Sequence, residues 1–139
     1  MKAPRDRISI EEVLSTEPEL IEKITEFHDA SAGEFFFMKD APDKVHYITE
    51  EVYDEAEGFW KVRNENEEII DYYGNAVPLF SSTAMMDIIR QHCRLEVRSF
   101  KGGWLVILEG SELMQSEEGD DLVSLLWKVM KKVHLDYPI

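Results

Sequence analysis

The chain has 139 residues, and its 15 Lys and Arg stand against 29 Asp and Glu, a net charge of −14 with the histidines neutral. Hydrophobic residues make up 44% and charged residues 32%, which fits a single soluble globular domain over 1–139 and excludes a disordered or fibrous chain. No run approaches the ~18 apolar residues of a membrane span, and so large an acidic excess argues against direct nucleic-acid binding, which needs clustered Lys and Arg.

The basic start, Met1 to Arg7, has no apolar segment behind it, so no secretory signal is expected. Ser9 and Glu12 have capping-box spacing and predict a short helix at about 10–14. Thr16-Glu17-Pro18-Glu19 repeats that signal, with Pro18 in the first turn. Leu20, Ile21, Ile24 and Phe27 follow at helical spacing and predict a helix from about 17 to 29. Phe35 to Met38 suits a strand and Ala41-Pro42-Asp43 a turn. Val45–Thr49 is a second strand candidate. Glu50 to Glu57 suits either a helical turn or an acidic hairpin loop. Phe59–Val62 and Ile69–Tyr73 complete an antiparallel meander.

In the second half, Ser81 and Ser82 offer a cap for a helix at about 83–93 that aligns Met85, Met86, Ile89, His92 and Cys93 on one face. Leu95, Val97 and Ser99 alternate as in a strand, Lys101-Gly102-Gly103 is a hairpin turn, and Trp104–Leu108 is apolar enough to be covered on both faces. A loop is expected over Gly110–Gly119. Asp120 then caps a helix whose face carries Leu122, Leu125, Leu126, Val129 and Val133, widened by Trp127 and Met130. These elements predict an α+β fold with helices on a mostly antiparallel sheet and a C-terminal helix–strand–strand–helix.

The run Val77-Pro78-Leu79-Phe80-Ser81-Ser82-Thr83-Ala84-Met85-Met86, the strand around Trp104 and the helix after Asp120 together resemble the phage ABA-sandwich domain over about half of the chain. The resemblance implies an α–β–α layered fold and a phage or prophage origin. It carries no functional residue with it.

Cys93 is the single cysteine, so this chain forms no internal disulfide and no Cys-x-x-Cys metal site. A reducing interior, the cytoplasm of a bacterium or of a host, is the default location. Cys93 shares the apolar helical stripe of Met86 and Ile89, and its neighbour His92 points about 100° away, so a buried inert thiol is expected. No phosphate-loop, calcium-loop or nucleophile-elbow spacing is present, and neither cofactor nor metal is expected on that account. His28-Asp29 is the one arrangement resembling a metal-hydrolase pair, with His46 as a further ligand.

Charge is concentrated in the middle. Residues 34–71 carry 4 basic and 12 acidic side chains, net −8. A second acidic stretch runs from Glu109 to Asp121. Such runs ordinarily form a solvated face. The sharper alternative draws on nine aromatics in or beside the acidic middle, Phe35 to Tyr73, more than strand alternation can bury. Aromatic anchors beside carboxylates have the composition of a binding surface for a basic protein. The leading expectation is therefore a non-enzymatic acidic interaction protein of the inhibitor, nucleic-acid-mimic or immunity type. Its partner-binding residues would be Glu50, Glu51, Tyr53, Asp54, Glu55 and Trp60. The alternative is a small metal-assisted hydrolase using His28, Asp29 and His46.

Overall fold

The structure, a computed structural model, describes residues 6–110 and 114–136, with the backbone alone for 114–116, 135 and 136. The elements run α1 (Ile10–Leu14), α2 (Pro18–Thr25), β1 (Phe35–Met38), β2 (Ala41–Asp54), β3 (Phe59–Asn64), β4 (Ile69–Ile70), β5 (Ala76–Leu79), α3 (Ser82–Arg90), β6 (Arg94–Phe100), β7 (Gly103–Glu109), β8 (Met114–Gly119) and α4 (Leu122–Asp136). The fold is α+β with two antiparallel sheets, ordered β4-β3-β2-β1-β5 and β6-β7-β8. The chain divides into two compact units, one of His28–Leu79 and one of the residues before and after it. No helix among the described residues is long and apolar enough to cross a membrane.

The discontinuous unit holds all four helices and the three-stranded sheet. The capping box at α1 forms as its spacing predicts: the Glu12 N–H donates to Ser9 Oγ at 3.2 Å and the Ser9 N–H to Glu12 Oε1 at 3.0 Å. Thr16 does not cap α2. Its hydroxyl turns back to the Glu12 carbonyl, and Glu17 takes the cap position without a side-chain bond. The helix ends at Thr25, four residues short of the predicted end, and Phe27 lies beyond it. Ser81 caps α3 by accepting the Ala84 N–H at 3.1 Å. Met85, Ile88 and Ile89 are buried, so the stripe turns through Ile88 and leaves Met86 and Cys93 only partly covered.

The predicted loop over Gly110–Gly119 is in part a strand. Residues 111–113 lie outside the described residues, as do 1–5, and β8 pairs with β7 from Glu109↔Met114 to Trp104↔Gly119. The C-terminal order is therefore helix, three strands, helix. Polarity hid β8, because its middle reads Gln115-Ser116-Glu117-Glu118. Glu117 nevertheless anchors the strand to α4, with Oε2 3.2 Å from Lys128 Nζ and Oε1 3.1 Å from Lys132 Nζ. Asp121, not Asp120, caps α4: its Oδ1 accepts the Val123 N–H at 3.2 Å. Val123, Leu125, Leu126, Trp127, Val129, Met130 and Val133 of α4 are all buried. A helix apolar over so wide an arc needs several neighbours, and α4 packs on α2, α3, β7 and β8. On β7, Val106 and Leu108 are buried, while Leu105, Ile107 and Trp104 are half-covered. Trp104 therefore sits at the margin of the core, where its place at the hairpin end puts it.

The His28–Leu79 unit is a five-stranded antiparallel sheet in which β1 to β4 form a meander and β5 returns to pair with β1. Its core is Ala30, Phe36, Ile48, Val62, Tyr72 and Ala76, with Met38 and Ile70 packed against it. The turn after β1 is Lys39-Asp40, and Ala41-Pro42-Asp43 already belongs to β2, closing on Met38. Glu50–Asp54 is strand, not helix, which resolves the choice that the sequence left open; only Glu55–Gly58 forms the turn. β5 lies at the sheet edge beside β1. An edge tolerates Pro78, which lacks an N–H to donate.

Candidate functional site

Among the described residues, nine large hydrophobic side chains are exposed, and seven of them fall in the His28–Leu79 unit: Val45, Tyr47, Tyr53, Phe59, Trp60, Ile69 and Tyr73. The same unit carries 13 acidic and 4 basic residues, net −9 of the chain's −14. The candidate site is built where these two excesses meet.

The register of β2 on β3 decides which side chains share a face. Before the bulge, Ile48 pairs with Asn64; after it, Glu50 pairs with Arg63, Glu51 with Val62, Tyr53 with Trp60 and Asp54 with Phe59. One extra residue on β2 flips its alternation, because a one-residue slip exchanges the two faces. Odd-numbered Glu51 and Tyr53 therefore join the face of Ile48, Val62 and Trp60. Glu50, Val52 and Asp54 share the opposite face with Arg63, Lys61 and Phe59.

The six expected partner-binding residues are thus divided by the sheet. On the opposite face the carboxylates are neutralised within the unit. Glu50 Oε1 lies 2.7 Å from Arg63 Nε, and Asp54 Oδ2 lies 3.0 Å from Lys61 Nζ. The Lys61 hydrogen bond, helped by the Glu57 N–H, holds the Asp54 carboxyl below the usual carboxylate range. The Lys61 ammonium also sits over the Phe59 ring, 5.2 Å from its centre. Glu55 is in the turn, exposed.

On the face continuous with the core, Tyr53 and Trp60 remain 48% and 52% exposed and meet edge-to-face with centroids 5.3 Å apart. Cross-strand aromatic pairs of this kind contribute about 0.5–1.5 kcal/mol beyond area burial, so the hairpin holds both rings without a core beneath them. Beside Trp60 an open groove of about 540 Å³ is lined by Asp29, Phe59, Trp60, Asp71 and Tyr73. Tyr73, 43% exposed, is fixed by its hydroxyl, which accepts the Ala30 N–H at 3.2 Å, and by an edge contact with buried Tyr72 at 5.2 Å. Its phenol is pushed above the ordinary value near 10, first by burial and then by the negative charge of Asp29, Glu51 and Glu34. The Ala30 N–H opposes that rise only in part. The carboxylates of Asp29, Asp71 and Glu51 have no ion-pair or hydrogen-bond partner among the described residues, in contrast to Glu50 and Asp54.

Asp71 and Tyr73 are not among the six expected partner-binding residues; Tyr73 enters the sequence reading only as one of nine aromatics and Asp29 only as half of a His-Asp pair. The available signal was Tyr72-Tyr73: adjacent tyrosines beside a strand point to different faces, so one of them had to be exposed. The histidines of the hydrolase alternative are engaged separately. His28 Nε2 bonds Glu34 Oε2, and His46 Nδ1 lies 2.8 Å from Glu65 Oε2. Burial is the largest single influence on Glu65 and works against its ionisation, but the His46 hydrogen bond, the backbone N–H groups of Glu65 and Tyr47 and the charge of His46 together outweigh it, and the carboxyl is held below its usual range. Among the described residues, no three His, Cys, Asp or Glu side chains are placed to hold a metal ion. Ser81 is a cap, and Gly102 takes the hairpin turn with φ 94°. Burial pushes the Cys93 thiol up, and its Sγ donates to the Ile89 carbonyl at 3.7 Å.

Comparison with family models, with curated proteins and with solved structures finds no match.

Proposed function

We propose that this is a non-enzymatic interaction protein that binds a basic protein partner through the aromatic, acidic face of its His28–Leu79 unit. The observation that carries the reading is the pairing of Trp60 and Tyr73 with three carboxylates, Asp29, Asp71 and Glu51, that have no counter-ion among the described residues. Exposed rigid aromatics supply the contact area of a binding hot spot at low entropy cost. Unneutralised carboxylates beside them favour a cationic partner and disfavour an acidic one. An inhibitor, a nucleic-acid mimic and an immunity-type protein all share this chemistry. The proposal extends to a cytoplasmic location and to the phage or prophage origin implied by the resemblance of the C-terminal half.

The test is kinetic. A partner recovered by cross-linked capture is purified and its association measured between 0.01 and 0.15 M salt, over which the Debye length falls from about 30 to about 8 Å. The on-rate is expected to fall steeply while the off-rate changes little. Replacing Glu50, Glu51, Asp54 and Glu55 by their amides flattens that dependence, since steering follows the summed charge whichever face holds it. Trp60→Ala or Tyr53→Ala raises the off-rate instead. A purified complex indifferent to salt and to Trp60→Ala would refute the reading.

A further inference from the structure

Resting on that reading, we infer that the groove between Trp60 and Tyr73 is a receptor for one arginine side chain of the partner, stacked on the rings and forked to Asp29 and Asp71. Five residues line it: two carboxylates from separate chain segments and three aromatics. The groove is open to solvent and wide, about 540 Å³. An enclosed aromatic cage is the fit for a methylated ammonium. An open groove with carboxylates at its margin fits a planar cation that can lie on a ring face and donate from its edge.

Guanidinium meets that description better than ammonium. It is less strongly hydrated, stacks on aromatic faces, and presents five N–H donors in a rigid fork that matches carboxylate geometry. Two of the unit's four cations, Lys61 and Arg63, are engaged away from Asp29 and Asp71. Strand alternation sends Lys61 and Arg63 to the opposite face, where Asp54, Glu57 and Glu50 hold them. That face already displays the same chemistry in miniature, with Lys61 over Phe59 and against Asp54. Phe59, under Lys61, is shared with that face, while Trp60 and Tyr73 stand beside Asp29 and Asp71, whose carboxylates pair with no cation among the described residues. Tyr73 is pre-positioned, since the Ala30 N–H and the Tyr72 ring hold it, so little ordering is required on binding. Glu51, whose charge is felt at Tyr73, adds to the negative potential.

The experiment uses the full chain and three peptides of equal length, (Gly-Arg)6, (Gly-Lys)6 and (Gly-citrulline)6, titrated by calorimetry. The indole N–H resonance of Trp60, assigned with Trp60→Phe, is followed in parallel. The arginine peptide is expected to bind at least fivefold more tightly than the lysine peptide and to shift the Trp60 signal, and the citrulline peptide to give no binding. Asp29→Asn and Asp71→Asn should each weaken the arginine peptide about tenfold and abolish its advantage over lysine. Asp43→Asn, which removes the same charge outside the groove, should change it less than twofold. Should either groove variant fail to fold, Trp60→Leu serves in its place and must remove the arginine preference. Equal affinity for arginine and lysine, or equal effects of groove and distant charge removal, overturns the arginine site while leaving a charge-steered partner intact. No binding by any peptide also overturns it, and the salt dependence of the purified complex then judges the broader reading separately.

Discussion

Acidification should destabilise this protein before its carboxylates titrate, through two histidines of the discontinuous unit. His134 of α4 is completely buried, and its ring meets that of His92 edge-to-face with centroids 4.6 Å apart; Phe27 flanks both at 5.3 and 4.7 Å. His134 Nδ1 donates to the Met130 carbonyl at 2.8 Å, and the Nε2 atoms of both rings are buried with no hydrogen-bond partner among the described residues. A neighbouring charge is unfavourable: Lys23 Nζ donates to the His134 carbonyl at 2.7 Å. Burial lowers both pKa values from their usual 6.5. At His92 the neighbouring His134 and Lys23 lower it further; at His134 the Met130 hydrogen bond opposes the fall in part and Lys23 reinforces it. A folded-state pKa below the unfolded value means that the unfolded chain binds more protons, so stability rises with pH in that window. The contribution is complete above about pH 6.5 and is lost as pH falls from there through the depressed folded values. The linkage relation limits the loss between pH 6.5 and 5.5 to about 1 kcal/mol for His134, and to less for the partly solvated His92. Urea unfolding at constant ionic strength, at pH 7.5, 6.5 and 5.5, measures it. The midpoint should fall across the last interval, with an unchanged slope against urea. In His92→Phe with His134→Leu, that fall should shrink. A midpoint flat over this interval, or an equal fall in the double variant, would refute the argument.

Two further outcomes separate core from surface. Trp127 is buried, stacked on Phe80 with centroids 6.1 Å apart, so Trp127→Ala should cost about 3–5 kcal/mol in urea unfolding. Trp60→Ala should cost clearly less than Trp127→Ala, because about half of its surface is already in water; an equal loss would mean that Trp60 is a core residue and not an anchor. Cys93, partly covered and with its thiol pKa raised by burial, should react with a thiol reagent at neutral pH more slowly than the unfolded chain. Labelling as fast as in denaturant would contradict that assignment.

Local chemistry was legible wherever a residue acts on its own segment. The Ser9–Glu12 capping box, the Ser81 cap and the strands at Phe35–Met38 and Gly103–Glu109 follow from side chains within a few positions of the backbone they serve. The apolar arc of α4 and the acidic excess of the middle region were equally plain, since periodicity and charge are properties of the chain itself. Elements stabilised by a distant partner were not legible. β8 is polar along its length and exists because β7 pairs with it and Lys128 and Lys132 hold Glu117. β5 contains a proline and is a strand because β1 lies beside it at a sheet edge. Composition brought the aromatics and carboxylates of the middle region together as one candidate surface, and tertiary structure divided them. A single bulge between Ile48 and Glu50 set Glu50 and Asp54 against the cations of β3, and placed Tyr53 and Glu51 on the face of Trp60. Asp29, Asp71 and Tyr73 come to that groove from other segments. Residue types determine what a surface can attract; which of them share a face depends on strand register and, in β2, on the bulge that shifts it.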